Sequence, residues 1–400
     1  MEKIIRFNKH FEDNYFYEDE KKREFYEELI KKLDNKLIVG LFGLRRVGKT
    51  TSMKYLINYL IKDKNVQREK ILYFSFDDIT YSIWNVIEKY EQYLGKKIDS
   101  SYYLFFDEIQ KIPNYDTELK EVYDIIKPKI IISGSESTVI RKSTESLAGR
   151  IFEMQITPLS FKEYLIFKGL NHLIDKNMDY TVYFEEYLYK QFPEIVNFNL
   201  NDAKEYVDLI VKKIIYEDLT KIFSVKEPDL LFKLFKFVSY KPGIYVDYSQ
   251  ISAEFGVSRN TISIYFEYLE KSFLIKKIYN YSNNAITSEK KLKRYYTYPV
   301  LCYFCENLPE IIESYILMQN RFNFFHKDSR KNEIDFVSDK SKILGEVKYQ
   351  NTIRKKDIKN LINFKEKFGF EKLILVKKYS SQIFIETSEI EYINAWEIEN

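Results

Sequence analysis

The loop from Gly43 to Thr50, GLRRVGKT, constrains this chain more than any other feature of its sequence. The apolar run Lys36 to Phe42 before it predicts a buried strand. The segment Lys49 to Ile61 after it predicts a helix, because its apolar residues recur at helical spacing. The bounding glycines let the backbone turn its N–H groups inward at the N-terminus of that helix, where the helix dipole favours an anion. The loop therefore predicts a binding site for the phosphates of a nucleotide.

The polar residues of this loop have separate expected roles. Lys49 is expected to reach the β and γ phosphates, and the Thr50 hydroxyl is expected to ligate Mg²⁺. Three alternatives remain for Arg45 and Arg46: they contact phosphate, they contact a neighbouring subunit, or they face solvent. The residues expected to contact the nucleotide are Gly43, Arg45, Arg46, Val47, Gly48, Lys49, Thr50 and Thr51.

A second apolar run, Tyr102 to Phe106, ends in the two carboxylates Asp107 and Glu108. If this run is a strand of the same parallel sheet, both carboxylates come close to the loop. Asp107 is then expected to hold Mg²⁺ through its water shell, and Glu108 is expected to orient and polarise the attacking water. This pair predicts hydrolysis of the nucleotide as well as binding.

Two further residues are candidates for contact with the terminal phosphate. Ser135, at the tip of the apolar run Ile130 to Ser133, is expected to sense the γ-phosphate, and an ordinary polar strand end is the alternative. Arg150 is expected to stabilise the charge of the transition state, either in cis or in trans. No guanine-selecting segment of the N/T-K-x-D type is apparent, so we expect the nucleotide to be ATP.

The order of apolar runs predicts an α/β protein of four parts. Residues 1–158 alternate strands and helices, which is typical of a parallel sheet covered on both faces. Residues 159–240 have helical periodicity and predict a helical lid or linker subdomain. Residues 241–300 predict a helix-turn-helix followed by two β-like runs, joined by Ser282-Asn-Asn-Ala285, as in a winged helix. Residues 301–400 return to α/β alternation.

The last part carries Asp335, Glu346 and Lys348 with the spacing D-x(10)-E-x-K on two successive predicted strands. Because side chains alternate along a strand, Glu346 and Lys348 face the same side. The two carboxylates could share a divalent ion, with the ammonium near a scissile phosphate. Glu313, on a preceding predicted helix, is a further acidic candidate. An acidic strand end next to an exposed E-x-K is the alternative.

Composition bounds the partners of this chain. No 18 apolar residues run together, so we expect a soluble cytoplasmic protein without a membrane partner. The net charge of +3 is nearly balanced, but residues 256–300 hold 8 Lys or Arg against 3 acids, concentrated at Lys276, Lys277 and Lys290 to Arg294. Positive charge beside a recognition helix, which begins at Arg259, favours DNA as a partner. Protein docking is the alternative.

Four segments together resemble successive motifs of the archaeal-type AAA+ ATPase family: GLRRVGKTT, LFFDEIQ, IIISGSES and SLAGRIFEMQITPLSFKEYL. The resemblance covers nearly the whole chain and implies a P-loop ATPase, a winged helix and a C-terminal domain related to the PD-(D/E)xK nucleases. It implies Walker A roles for Lys49 and Thr50 and Walker B roles for Asp107 and Glu108. It also places Ser135 at the sensor position and Arg150 at the Gly-Arg of the family.

The C-terminal residues Glu313, Asp335, Glu346 and Lys348 resemble the PD-(D/E)xK pattern position by position, although the proline before Asp335 is missing. The leading hypothesis is thus an ATP-dependent, DNA-associated ATPase whose nuclease-like domain has uncertain activity. The alternative is a signalling switch in which ATP binding drives assembly through the winged helix, with a homo-oligomer as one candidate assembly and the C-terminal domain as an inactive docking surface.

Overall fold

The computed structural model describes residues 2–18, 21–77, 81–135, 147–174, 176–282, 288, 292–320, 322–384 and 387–398. Residues 283–285 of the predicted wing turn, Lys290 and Lys291 of the predicted basic patch, and residues 136–146, which include the end of IIISGSES and the start of SLAGR, lie outside this set. The chain divides into two compact units, Met1–Thr157 with Lys271–Phe273, and Pro158–Glu270 with Leu274–Asn400.

The first unit is built on a parallel sheet of five strands in the order β2-β3-β4-β1-β5. The central strand β1 is buried at every residue, which explains why its sequence is a continuous apolar run. Every strand predicted in this region is present within two residues of its predicted bounds. The strands are β1 Ile38–Phe42, β2 Ile71–Ser75, β3 Tyr103–Asp107, β4 Lys129–Gly134 and β5 Ile151–Gln155.

The helices of the first unit connect or cover these strands. They are α1 Glu2–Phe7, α2 Tyr26–Leu33, α3 Lys49–Lys62, α4 Ile83–Leu94 and α5 Tyr115–Ile125. Helix α2 begins at Tyr26, because the residues just before it form an irregular segment and a turn. The side chain of Arg23 in this segment bonds to the main chain of the predicted phosphate loop.

The N-terminal segment packs against the sheet through a buried histidine, His10. Its Nε2 lies 2.9 Å from the Ile71 carbonyl oxygen, and its Nδ1 lies 3.1 Å from the Tyr17 hydroxyl. A carbonyl can only accept, so Nε2 carries the proton when the ring is neutral. The Tyr17 hydroxyl donates to the Phe7 carbonyl at 3.2 Å. Burial lowers the pKa of His10 to about 4, against the opposing effect of the Ile71 bond.

This histidine predicts a pH dependence of the first unit. Unfolded His10 binds a proton near its ordinary pKa of 6.5, whereas folded His10 binds one only near pH 4. The contribution of neutral His10 to the free energy of unfolding of the first unit is therefore fully present above pH 6.5. It is lost as pH falls towards 4, and the loss amounts to up to about 3 kcal/mol. Urea unfolding followed by Trp84 fluorescence in a Trp396→Phe background measures the first unit alone. His10→Gln should lose this component, and equal pH slopes for the two proteins would contradict the assignment.

The second unit begins with helices and continues into a sheet. Its helices are α6 Phe161–Phe167, α7 Thr181–Tyr187, α8 Leu200–Lys213, α9 Thr220–Phe223, α10 Pro228–Tyr240, α11 Tyr248–Phe255, α12 Arg259–Lys271, α13 Leu308–Gln319 and α14 Lys355–Phe368. A π-helical turn, Ile214–Leu219, joins α8 to α9. The predominance of helix between residues 160 and 240 agrees with the predicted periodicity.

Helices α11 and α12 form the predicted helix pair. Asp247 caps α11, which ends at Gly256 with a left-handed φ of 66°. The Ser258 hydroxyl accepts from the Thr261 N–H at 3.0 Å and so caps α12. Three short strands flank the pair: β6 Ile244–Val246, β7 Lys276–Asn280 and β8 Lys293–Tyr296. Both β6 and β7 pair with β8 in antiparallel register.

These three strands do not form a sheet of their own. Strand β7 also pairs in parallel with β9, so one sheet of eight strands runs β15-β13-β11-β10-β9-β7-β8-β6. It thus crosses residue 300, where the sequence suggested a boundary. The remaining strands of this sheet are β9 Phe324–Lys327, β10 Glu333–Ser338, β11 Ile343–Lys348, β13 Lys372–Lys377 and β15 Ile390–Asn394. A separate pair contains β12 Thr352–Ile353 and β14 Gln382–Ile383.

Candidate nucleotide site

The predicted phosphate loop lies at the carboxyl edge of the first-unit sheet, where ligands of open parallel sheets bind. Strand β1 ends at Phe42 and leads directly into Gly43, and the neighbouring strand β4 ends at Gly134. The Gly43 N–H lies 3.4 Å from the Gly134 carbonyl oxygen. Strand β3 ends at Asp107 on the same edge, because all five strands run in the same direction.

Two glycines are required by the shape of this loop. A Cβ on Gly43 would lie 2.1 Å from the carbonyl oxygen of Ile156, so no side chain fits there without moving the backbone. Gly48 has a φ of 94°, a conformation that residues with a side chain rarely adopt, and it stands at the N-terminus of α3. The glycine spacing read from the sequence thus corresponds to two separate backbone requirements.

Lys49 is buried, with 5% of its surface exposed. Its ammonium donates to the carbonyl oxygens of Gly43 and Leu44, each at 2.9 Å. The positive charge is therefore held inside the curve of the loop, at the place where the sequence predicts phosphate. A bound triphosphate would replace these weak carbonyl partners with anionic oxygens.

Asp107 receives hydrogen bonds from three hydroxyl groups. Thr50 donates to its Oδ2 at 2.7 Å and Tyr73 donates to the same oxygen at 2.8 Å, while Ser133 donates to Oδ1. Burial, and next the charge of Asp107, raises the pKa of Tyr73 well above its usual value, so its hydroxyl keeps its proton. The structure thus brings together Thr50 and Asp107, the two predicted Mg²⁺ ligands. The sequence analysis missed Tyr73 and Ser133.

Glu108 directly follows Asp107 in a left-handed conformation, with a φ of 54°. Its Oε2 accepts from the amide of Gln110 and from the Ser135 hydroxyl, the latter at 3.3 Å. The same Gln110 amide donates to Ser135 at 2.9 Å. The predicted base and the predicted sensor are therefore in contact. Gln110, which sequence reasoning did not single out, joins them.

The remaining loop residues differ in exposure. Val47 is fully buried, Arg45 and Thr51 are half-buried, and Arg46 is exposed with a φ of 69°. An exposed Arg46 is compatible with each of the alternatives left open by the sequence. Its position alone does not distinguish between phosphate, a neighbouring subunit and solvent.

Arg150 lies at the opposite edge of the sheet. It directly precedes β5, whose Ile151 pairs with Ile38 at the start of β1, whereas the loop follows the end of β1. Five residues at roughly 3.3 Å each separate the two edges by about 16 Å. Arg150 instead forms an ion pair with Asp124 at 3.1 Å. Of the two roles expected from the sequence, the role in cis is incompatible with this position.

Arg23 reaches the loop from the N-terminal segment. One guanidinium nitrogen donates to the Val47 carbonyl at 2.8 Å, and another donates to the Thr157 carbonyl at 3.0 Å. Only 4% of its surface is exposed. No motif marks this residue, because it lies 24 positions before the loop residue that it contacts.

The C-terminal candidates lie in the second unit, in a network that includes an unexpected arginine. Arg294 on β8 forms ion pairs with Glu313 on α13 at 2.8 Å and with Glu333 on β10 at 3.0 Å. Tyr296 also donates to Glu313. Burial raises the pKa of Glu313 to about 7, although the charge of Arg294 opposes this rise. Glu313 is thus already balanced by a cation of the protein itself.

The other three candidates contact one another or the main chain, but among the described residues Oε2 of Glu346 is buried without a hydrogen-bond partner. Lys348 is paired with Glu346, and the Val347 N–H donates to Asp335 at 2.8 Å. Burial, and next the charge of Asp335, raises the pKa of Glu346 well above its usual value, whereas the charge of Lys348 opposes this rise. Within the described ranges, no three His, Cys, Asp or Glu side chains form a group that could hold a metal ion. The structure nevertheless brings the four candidates together, since the pKa of Glu346 responds to the charges of Asp335, Lys348 and Glu313.

Three of the six cations in the predicted basic patch are committed to internal contacts. Lys276 donates to the Phe322 carbonyl at 2.8 Å, Lys277 pairs with Glu270 at 3.0 Å, and Arg294 is buried. The expectation that these three cations face a partner is therefore wrong, because each is held by the fold. By contrast, Arg259 and Asn260 at the start of α12 are exposed.

Three family models match consecutive parts of the chain. Residues 35–165 match the AAA domain, which supports an ATP-binding AAA-type ATPase core in this region. Residues 181–304 and 308–398 match two domains of unknown function, DUF8612 and DUF4143. These two matches do not carry a winged-helix or nuclease assignment. No helix in the described part of the chain is long and apolar enough to cross a membrane.

The chain is also similar to proteins without an assigned activity. It is 25% identical over 399 residues to an uncharacterised protein of Haemophilus influenzae, covering 94% of this chain and 98% of that protein. An uncharacterised protein of Methanocaldococcus jannaschii is 28% identical over 82% of this chain and 79% of its own length. A RuvB variant of Thermotoga maritima is 17% identical, with a TM-score of 0.32 over 62% of this chain and 87% of that chain. Similarity at this level says nothing about activity.

Proposed function

We propose that this chain is an ATP-hydrolysing, Mg²⁺-dependent ATPase. The observation that carries the proposal is the contact between the Thr50 hydroxyl and the Asp107 carboxylate at 2.7 Å, beside a glycine-bounded loop that encloses Lys49. A hydroxyl and a carboxylate on one edge are the oxygen donors that Mg²⁺ takes beside a nucleotide triphosphate. When bound with ATP, the ion would neutralise charge on the phosphates.

In this proposal each residue of the site has one task. The loop amides and Lys49 hold the β and γ phosphates, and Thr50 and Asp107 hold the ion. Glu108 accepts hydrogen bonds from a water and orients it towards the γ-phosphate. Ser135 contacts the γ-phosphate and must then exchange its present contact with Glu108 for the ligand. Binding of the terminal phosphate thereby removes one of the two hydrogen bonds that Oε2 of Glu108 accepts, and the bond from Gln110 remains.

For the second unit we propose a DNA-associated role through a winged helix formed by α11, α12 and the flanking strands. Arg259 and Asn260 are exposed at the beginning of α12, where residues of a recognition helix meet a groove. The internal commitment of Lys276, Lys277 and Arg294 predicts few phosphate contacts, and hence a shallow dependence of binding on salt.

The second candidate function is the signalling switch in which ATP drives assembly. The internal ion pairs of Arg294 and Lys348 favour it. A C-terminal region whose carboxylates are balanced by Arg294 and Lys348 fits a docking surface better than a metal-dependent nuclease. Arg150, with 31% of its side chain exposed, would then complete the site of a neighbouring copy in a nucleotide-dependent homo-oligomer.

Phosphate release from ATP with Mg²⁺ tests the proposal and separates the two candidates. The wild type should hydrolyse ATP, and Lys49→Ala should not, with both proteins folded by circular dichroism. If DNA is the partner, DNA should stimulate turnover, and Arg259→Ala should reduce this stimulation. Oligomerisation with ATP that is indifferent to DNA would favour the switch. Absence of hydrolysis by the wild type under all these conditions would contradict the ATPase itself.

A further inference from the structure

The peptide between Val47 and Gly48 is oriented by a residue outside the loop, Arg23. In a trans peptide, the C=O of one residue and the N–H of the next point in opposite directions. Arg23 donates to the Val47 carbonyl at 2.8 Å, so that carbonyl points towards the N-terminal segment. The N–H of Gly48 therefore points the other way, along the direction that the loop uses for phosphate.

The residue that follows this peptide bond, Gly48, lacks the side chain that normally opposes a peptide flip. A flip rotates ψ of the first residue and φ of the second in opposite senses, and it is normally opposed by the side chain of the second residue. Gly48 has no side chain and accepts φ of either sign. Its present φ is 94°.

From this geometry we propose that Arg23 is a positioning residue for nucleotide binding: its guanidinium fixes the Val47–Gly48 peptide with the Gly48 N–H turned towards the phosphates. The second donor bond, to the Thr157 carbonyl at 3.0 Å just beyond β5, anchors the guanidinium to the sheet. Packing over the Phe25 ring at 5.0 Å supports it from the other side. The guanidinium is thus held at three points, one of which is the loop. This inference rests on the proposed function.

The expected effect is on binding rather than on chemistry. A flipped peptide presents a carbonyl oxygen, instead of an N–H, to an anion in both the ground state and the transition state. Loss of Arg23 should therefore raise KM for ATP and leave kcat nearly unchanged. Loss of a hydrogen bond in which one partner is charged should lower the affinity for the nucleotide by about 10- to 100-fold.

Arg68 provides a matched control within the same unit. Its guanidinium also donates to two main-chain carbonyls, those of His10 at 2.8 Å and Tyr15 at 2.7 Å, and it also packs over a ring, that of Phe16 at 4.7 Å. None of these partners belongs to the loop. Arg68→Met and Arg23→Met should therefore cost similar amounts of thermal stability, while only Arg23→Met should weaken nucleotide binding.

Calorimetry with ADP and Mg²⁺, together with KM and kcat for ATP, tests the proposal on the full chain. Arg23→Met should weaken ADP binding at least tenfold, and Arg68→Met less than threefold. Arg23→Lys keeps the charge but cannot reach both carbonyls, so it should fall between wild type and Arg23→Met, and it decides the question if Arg23→Met does not fold. Wild-type affinity in Arg23→Lys and Arg23→Met, or equal losses in Arg68→Met, would overturn the role of Arg23. Failure of the wild type to bind ADP would instead overturn the proposed function.

Discussion

Glu108→Gln should bind ATP as tightly as the wild type but hydrolyse it at least about 100-fold more slowly. The substitution keeps the size of the side chain and its place at the end of β3, so the loop and Asp107 are undisturbed. It removes the negative charge that orients and polarises the attacking water. Because only the transition state needs that charge, kcat should fall while the Kd for ATP stays within about threefold.

Two measurements check this expectation. Single-turnover phosphate release gives the hydrolysis rate, and calorimetry with ATP gives the affinity of the slow variant. Glu118→Gln is a matched control, because Glu118 accepts from the Ile83 N–H at 2.6 Å on a part of the same unit away from the loop. Turnover in Glu108→Gln equal to that of this control would show that Glu108 does not assist the water.

Arg294→Met should destabilise the second unit by about 3 to 5 kcal/mol. The variant leaves Glu313 and Glu333 without the guanidinium that now balances them in a buried position. Burial already raises the pKa of Glu313 to about 7, and loss of the cation would raise it further. The folded variant would then hold a proton that the unfolded chain releases above its ordinary pKa of 4.5, so the loss should grow from pH 6 to pH 8.5.

Trp396 makes this measurable, since it packs on Tyr180 and Phe184 within the second unit. Urea unfolding in a Trp84→Phe background, followed by the remaining tryptophan, reports on that unit alone. Arg294→Met with Glu313→Gln removes both charges of the closest pair and should recover part of the lost stability. If the free energy of unfolding of Arg294→Met lies within about 0.5 kcal/mol of the wild-type value, or if the difference does not change with pH, the ion-pair network around Arg294 is contradicted.

The phosphate loop and the two carboxylates could be read from the sequence because their signals are local. A glycine-bounded loop between an apolar run and an amphipathic helix has few other structures available to it, and strands of a parallel sheet all end at one edge. Thr50 and Asp107 therefore had to come close, although 57 residues separate them. The helix pair was equally local, since Asp247, Gly256 and Ser258 mark its ends.

The contacts that depend on distant residues could not be read in this way. Arg23 bonds to a carbonyl 134 residues away, and Arg294 pairs with a carboxylate 39 residues away. Charge counts made Arg294 part of a surface patch, whereas the fold buries it. Likewise, the role in cis that was considered for Arg150 depended on which edge of the sheet it occupied, and nothing in its neighbouring residues specifies that edge.

The sequence by itself thus determined the nucleotide loop and the helix pair. It also determined the order along the chain of the strands whose ends carry the site residues. Only the tertiary structure decided which cations are available to a partner and which are used within the protein. The physical reason is that main-chain conformation follows from neighbouring residues, whereas the partner of a long charged side chain is whatever the folded chain brings within about 3 Å of it.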